Sequence, residues 1–381
     1  METAVAAARQ HTSSGLASLS HRLAKQFAAA HGDPAGNLVF SPLSIYSALS
    51  LVAAGAQGRT LRELVNVLGA GSRDSLNVNV RGMVEQSIPP ASTQDGGAEL
   101  GEEVGDAEVR KVVLSLEELH GGAAAEVGVV EVDGGNDGEV GVLRRGHTEA
   151  AVGSWDTPFD KQRTKEDKFH RLDGSSITAQ FMNSSKRQFI GVHDGFKVLR
   201  MPYTYRMHRA PGLPRTIPLR YSMCVLLPDT RDGLQGLMDA VASSLSFLQD
   251  NLPLNKVEVG EFRVPKFKMS FTKSMRKDLQ DLGVQAVFSG AAELPDLLEE
   301  DGSHEPLFVG DVLHKAVIDV NEEGTEAAAV TGCHMFASCG PRRQPPPRVD
   351  FVADHPFAFF VVEELSGAIL FAGHVLDPTQ S

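Results

Sequence analysis

Residues 321–330 read NEEGTEAAAV, directly after the run Lys315-Ala316-Val317-Ile318-Asp319-Val320. That run has the residue types of a strand. A strand of this kind usually closes in a tight turn. Here it opens into Glu322, Glu323, Gly324, Thr325, Glu326 and three alanines, Ala327, Ala328 and Ala329. Successive side chains of a strand point to opposite faces, so a strand that is to enter a core needs small, uncharged residues at alternate positions. Thr325, Ala327, Ala329 and Thr331 meet that requirement, and Glu326 falls on the other face. Gly324 supplies freedom for a hinge. Taken alone, the stretch also suits an Ala-rich helix or a linker.

Outward from this stretch, helices and strands mix without a strict alternation, which predicts an α+β fold. Leu16, Leu19, Leu23 and Phe27 recur at helical spacing after Ser13-Ser14. Asn37-Leu38-Val39-Phe40 predicts a short strand, and Ser41-Pro42 opens a second helix with Ser as cap and Pro at the first position. Thr60-Leu61-Arg62-Glu63 has the form of a capping box for a third helix, stopping near Gly69. Phe189–Val192 and Phe196–Leu199 flank His193-Asp194-Gly195 as short strands, and Tyr221–Leu227 is an apolar run. Leu234–Leu248 and Ser274–Leu282 predict helices, and Val257–Val264 alternates as a strand. Phe357–Val362 and Ala368–Val375 predict a buried hairpin.

The chain has 381 residues, 42% of them hydrophobic, enough for a large core. Its net charge of −13 gives no electrostatic basis for nucleic-acid binding. The longest apolar run, Leu43–Ala56, falls short of the roughly 20 residues that a membrane span needs, and predicts a buried helix. Three cysteines, Cys224, Cys333 and Cys339, are too few for a disulfide framework and read as reduced thiols. The start METAVAAARQHTSSG lacks a charged region followed by an apolar one, so a cytoplasmic location is expected, with extracellular action left open. The histidines form no HExxH pattern and the cysteine spacing suits no metal, so neither metal nor cofactor is expected. No GxSxG elbow is present, and Gly69-Ala70-Gly71 lacks the lysine of a phosphate loop. The chain is not expected to be an enzyme.

Residues 85–153 differ from the rest. They hold 15 acids against 4 bases, and no Phe, Tyr, Trp, Cys or Met. With so little apolar surface to offset chain entropy, disorder is expected here. Val127, Val129, Val130 and Val132 leave room for a weak strand.

Four longer motifs carry a resemblance. They are Asn37-Leu38-Val39-Phe40-Ser41-Pro42-Leu43-Ser44-Ile45, Trp155-Asp156-Thr157-Pro158-Phe159-Asp160, Lys315 through Ala329, and Asp350-Phe351-Val352-Ala353-Asp354-His355-Pro356-Phe357. In this order they resemble the serpins, and among those the plant, cereal-type serpins. The resemblance covers 10–84 and 155–378. It implies a single serpin-like domain over 1–381, with large mixed sheets and about eight or nine helices. It also implies serine protease inhibition by a suicide-substrate route. A protease cleaves an exposed reactive-centre loop and becomes acyl-linked to it, and the loop then enters a large sheet as an extra strand.

On that resemblance the loop spans 322–350, with its hinge at Glu322, Glu323, Gly324, Thr325, Glu326, Ala327, Ala328 and Ala329. Counting from Gly324 places the cleaved bond between Ser338 and Cys339, and Arg342 or Arg343 are the alternatives. The implied partner is a serine protease, elastase-like or trypsin-like, with a cysteine protease also open. His355-Pro356-Phe357 is implied to be a packing element. The resemblance fails over 85–153, where the family places strands of the large sheet, so that sheet is expected to be incomplete. The second reading is therefore a non-inhibitory serpin-like protein that is cleaved as a plain substrate.

Overall fold

The computed structural model describes residues 15–27, 36–73, 76, 122–134, 140–143, 146–151, 153–204, 220–295, 307–325, 348–364 and 367–380. In chain order the strands begin with β1 (Leu38–Phe40), β2 (Gly122–Gly134), β3 (Val140–Leu143) and β4 (Gly146–Ala151). Then follow β5 (Lys165–His170), β6 (Ser176–Asn183), β7 (Gln188–His193), β8 (Phe196–Pro202) and β9 (Tyr221–Pro228). Next come β10 (Lys256–Val257), β11 (Val259–Pro265), β12 (Phe267–Ser274) and β13 (Leu307–Val320). The last are β14 (Val349–Val352), β15 (Phe357–Glu363) and β16 (Ile369–Val375).

They form three sheets. Seven strands run in the order β1-β16-β15-β9-β8-β7-β10, and four in the order β14-β11-β6-β5. The third sheet follows β12-β13-β2-β3, with β4 also paired to β2. The fold is α+β, as the mixed pattern predicts.

The seven-stranded sheet divides two cores, and the period of two does the dividing. Every residue of β15 is buried. Ala358, Phe360 and Val362 face one core, with helix Pro42–Gly55 and the helix over 15–27. Phe357, Phe359 and Val361 face the other, with Trp155, Phe267 and Ile318. A continuous apolar run is what a strand buried on both faces needs. Each large side chain buried there contributes about 1.5–3 kcal/mol.

The helix over 15–27 buries Leu16, Leu19, Leu23 and Phe27 completely, and the Phe27 ring meets Phe40 edge-on at 4.7 Å. Helix Pro42–Gly55 starts as the sequence predicts: the Ser41 hydroxyl accepts the Ser44 N–H at 3.3 Å, and Pro42 occupies the first turn. No helix among the described residues is long and apolar enough to cross a membrane.

Other boundaries move. The capping box at Thr60 is not used: the third helix is Gly58–Val67, with Gln57 at the N-cap position and no side-chain cap. The Thr60 hydroxyl instead accepts the Glu293 N–H at 3.0 Å, and Glu63 accepts the amides of Gln285 and Ala286 at 2.7 Å each. Tertiary partners thus displace the local cap. The helix expected over 234–248 splits into Leu234–Val241 and Phe247–Asn251, because a turn intervenes at Ala242-Ser243. His355 bridges Asp354 and the Pro228 carbonyl, each at 2.8 Å, and Phe357 is fully buried.

Within 85–153 the described backbone is β-strand. β2 carries the valines singled out above and is the longest of its strands. Shortly before Trp155, where the resemblance fails, lies the six-residue β4, which pairs with β2. β13 pairs with β12 on one side and with β2 on the other. Ser338, Cys339, Arg342, Arg343, Glu326 and Ala327–Ala329 lie outside the described residues.

Candidate functional site: the hinge beyond β13

β13 runs 14 residues and delivers the hinge at its end. Its pairing with β12 is unbroken from Ser274↔Leu313 to Phe267↔Val320. Ala316, Ile318 and Val320 are buried on one face, so the strand is held rigidly up to its last residue. Past Val320 the chain turns back on itself. The Asn321 N–H donates to the Gly324 carbonyl at 3.0 Å, and Thr325 forms an antiparallel bridge with Val320. Gly324 bridges Ser154 on the opposite side. The hinge therefore already runs antiparallel to β13, wedged against Gly153-Ser154.

Only glycine fits at 324. Its φ is +153°, and a Cβ there would lie 2.5 Å from the Gly153 carbonyl oxygen and 2.7 Å from the Ser154 Cα. Both neighbours are backbone and cannot step aside.

Trp155 clamps the turn. Its backbone N–H donates to the Glu323 carbonyl and its indole N–H to the Asn321 carbonyl, each at 2.9 Å. The Phe159 N–H donates to the Glu322 carbonyl at 2.9 Å. The Trp155 ring stacks on Tyr203, with centroids 4.6 Å apart. The Tyr203 hydroxyl in turn bonds the Thr325 hydroxyl at 2.8 Å, and Thr325 is fully buried. Burial pushes the Tyr203 phenol up, so it stays neutral at any ordinary pH.

Charges fix the two acids. Glu322 is 4% exposed, accepts the Thr164 hydroxyl at 2.6 Å and pairs with Lys266 at 3.1 Å. Burial alone would raise its carboxyl. The Thr164 hydroxyl, its own backbone amide and Lys266 outweigh that and hold it below the usual carboxylate range. Glu323 pairs with Lys161 at 2.5 Å on the open side. These residues line a cavity of about 500 Å³ with Gln180 and Asn321.

Further down β13, the buried His314 ties the strand to helix Pro42–Gly55. The Ser41 N–H donates to its Nε2 at 3.1 Å, so the ring proton sits on Nδ1. Burial lowers its pKa to about 4.

Of the hinge residues read from the sequence, the structure brings Glu322, Glu323, Gly324 and Thr325 together at this corner. It adds Tyr203, Thr164, Lys161 and Lys266, for which the sequence holds no local signal. Trp155 and Phe159 were visible only as part of a motif. Of the cysteines, Cys224 is buried in β9 and its thiol is pushed up to about 12, far from reactive. Cys333 and Cys339 lie outside the described residues.

The family described as "Serpin (serine protease inhibitor)" matches residues 14–96 and 151–378. The chain is 42% identical to serpin-Z2B of Oryza sativa subsp. japonica, over 96% of this chain and 97% of that one. It is 36% identical to serpin-ZX of Hordeum vulgare, over 96% of this chain and 98% of the relative. Among solved structures it is similar to AtSerpin1 of Arabidopsis in its native stressed conformation, with a TM-score of 0.69 and 28% identity over 97% of this chain and 98% of that one. The internal gap in the family match, 97–150, falls within the acidic, Gly-rich segment.

Proposed function

Because the chain belongs to the serpins, the family of serine protease inhibitors, we propose that it presents residues 322–350 as a bait and traps its protease by inserting the cleaved loop beside β13. The chain is an inhibitor and not itself a catalyst, and its partner is a protease. The bond offered is Ser338–Cys339. A protease serine attacks the Ser338 carbonyl, the Cys339 amine leaves, and an acyl ester joins the two proteins. Hydrolysis of that ester would complete an ordinary turnover. Insertion of the loop strand interrupts it by pulling the ester out of register with the catalytic groups.

A small residue at the cleaved position suits an elastase-like protease with a shallow primary pocket. Arg342 and Arg343 would suit a trypsin-like one.

One observation carries this reading: Thr325 is already paired back onto Val320 and buried, as the first residue of an entering strand must be. The test mixes the protein with elastase-, trypsin- and chymotrypsin-like proteases. A band at the summed mass that survives denaturant is expected, and the mass of the released peptide fixes the bond. Thr325→Arg is expected to keep cleavage and lose the band, because a guanidinium cannot be buried unpaired at that position. A band of undiminished strength in that variant refutes insertion.

A further inference from the structure

The position that an entering loop strand would take is already filled. Thr325 stands opposite Val320. Carried on antiparallel, one residue per residue, that pairing would set Ala327 opposite Ile318, Ala328 opposite Val317 and Ala329 opposite Ala316. In the structure those three partners face Ala123, Ala124 and Ala125 of β2.

The correspondence extends beyond the register. β2 runs antiparallel to β13, as the loop would. Over 122–127 its other edge pairs with β4, which leads within three residues to the Gly153-Ser154 stretch that flanks the hinge. The slot has the same two walls at the hinge and along β2. The composition also matches: Gly-Ala-Ala-Ala at 122–125 stands in for Ala-Ala-Ala at 327–329. The two chains meet end to end, Thr325 at the level of Val320 and Ala123 at the level of Ile318. One edge of β13 carries one row of amides and carbonyls, so it holds one partner at a time.

We infer that residues 122–134 are an internal plug, which holds the insertion slot in this state and must leave before the loop can enter. This rests on reading 322–350 as an inserting loop. Exchange of β2 for the loop would replace one alanine strand by another on the same ladder. Backbone bonding to β13 is then conserved, so small biases elsewhere decide which strand occupies the slot. Trapping is thereby gated by release of a segment distant in sequence from the bait.

The test uses the full chain. Hydrogen exchange followed by mass spectrometry is expected to show slow exchange in both 122–134 and 307–320. Ala125→Pro removes a ladder donor in mid-strand and is expected to speed exchange in both segments. A synthetic peptide with the sequence of residues 325–338 is the second probe. The parent protein is expected to take up none, and Ala125→Pro to bind it. After loop cleavage the unfolding midpoint is expected to shift upward in both proteins, and sooner in the variant, whose slot is already vacated.

Exchange of 122–134 at the rate of an unstructured peptide in the parent protein overturns the plug, and so does equal peptide uptake by parent and variant. Should Ala125→Pro fail to fold, the parent's exchange pattern decides alone. Slow exchange as expected, with no covalent protease complex from either protein, keeps the plug and removes the trapping reading instead.

Discussion

The Tyr203–Thr325 hydrogen bond gives a direct measure of how firmly the hinge is seated. Both residues are buried and their hydroxyls lie 2.8 Å apart. Thr325→Val keeps the shape and removes one partner, which leaves the Tyr203 hydroxyl dry and unpaired. That costs about 1–3 kcal/mol. Tyr203→Phe strands the Thr325 hydroxyl in the same way, at a similar cost. The double variant removes both polar groups at once and is expected to lie within about 1 kcal/mol of the parent. The coupling between the sites, the summed single losses less that of the double variant, is therefore about 1–6 kcal/mol. Denaturant midpoints of the four proteins at pH 7 measure it, provided the slopes agree. The single variants are also expected to be cut faster within the hinge by a non-target protease, since a loosened Thr325 exposes the turn. Additive losses, with the double variant as weak as the sum of the singles, would refute the buried pair and with it the seated hinge.

Three further outcomes follow from the same geometry. Gly324→Val is expected to destabilise the protein by about 1–3 kcal/mol, through forbidden backbone conformation and contact with Gly153 and Ser154, as read by thermal unfolding. His314 is held neutral with a pKa near 4, against 6.5 when unfolded. Its contribution to stability is whole above pH 6.5 and falls as the pH drops toward 4, by about 3 kcal/mol in all; His314→Gln should flatten this slope, and an unchanged slope between pH 6.5 and 4.5 sinks the assignment. Glu322 is shifted the other way, so its contribution is present above the ordinary carboxylate pKa and is lost as the pH falls through its lower folded value. Glu322→Gln should therefore weaken the protein at pH 7, and its deficit against the parent should shrink as the pH falls below the ordinary carboxylate range, in paired urea melts.

Legibility in the sequence followed the range of the forces. Elements set by local periodicity were readable: Leu16, Leu19, Leu23 and Phe27 do form one buried stripe, and the two C-terminal runs do pair as β15 and β16. The Ser41 cap was readable because its hydrogen bond spans three residues. Where a distant partner competes, the local signal misled. The Thr60 hydroxyl accepts the Glu293 N–H instead of capping its own helix. The hinge residues could be named from their motif, yet their partners could not, because Tyr203, Thr164 and Lys266 arrive from three connections far apart in the chain. The pairing of β2 was hidden for the opposite reason. Its alanines and glycines carry almost no face preference, so register has to come from β13.

The single tryptophan of the chain, Trp155, sits 2% exposed at this corner, stacked on Tyr203 and tied through its indole N–H to Asn321. The intrinsic emission of the protein is thus a report from one place. Excited at the red edge, it will be blue-shifted while the turn is closed. It will move to longer wavelength when the indole meets water. A melt followed by tryptophan fluorescence will record the opening of the hinge, and far-ultraviolet dichroism the loss of the sheets. Wherever the two curves part, the gap between them measures how much earlier this corner yields than the rest of the molecule.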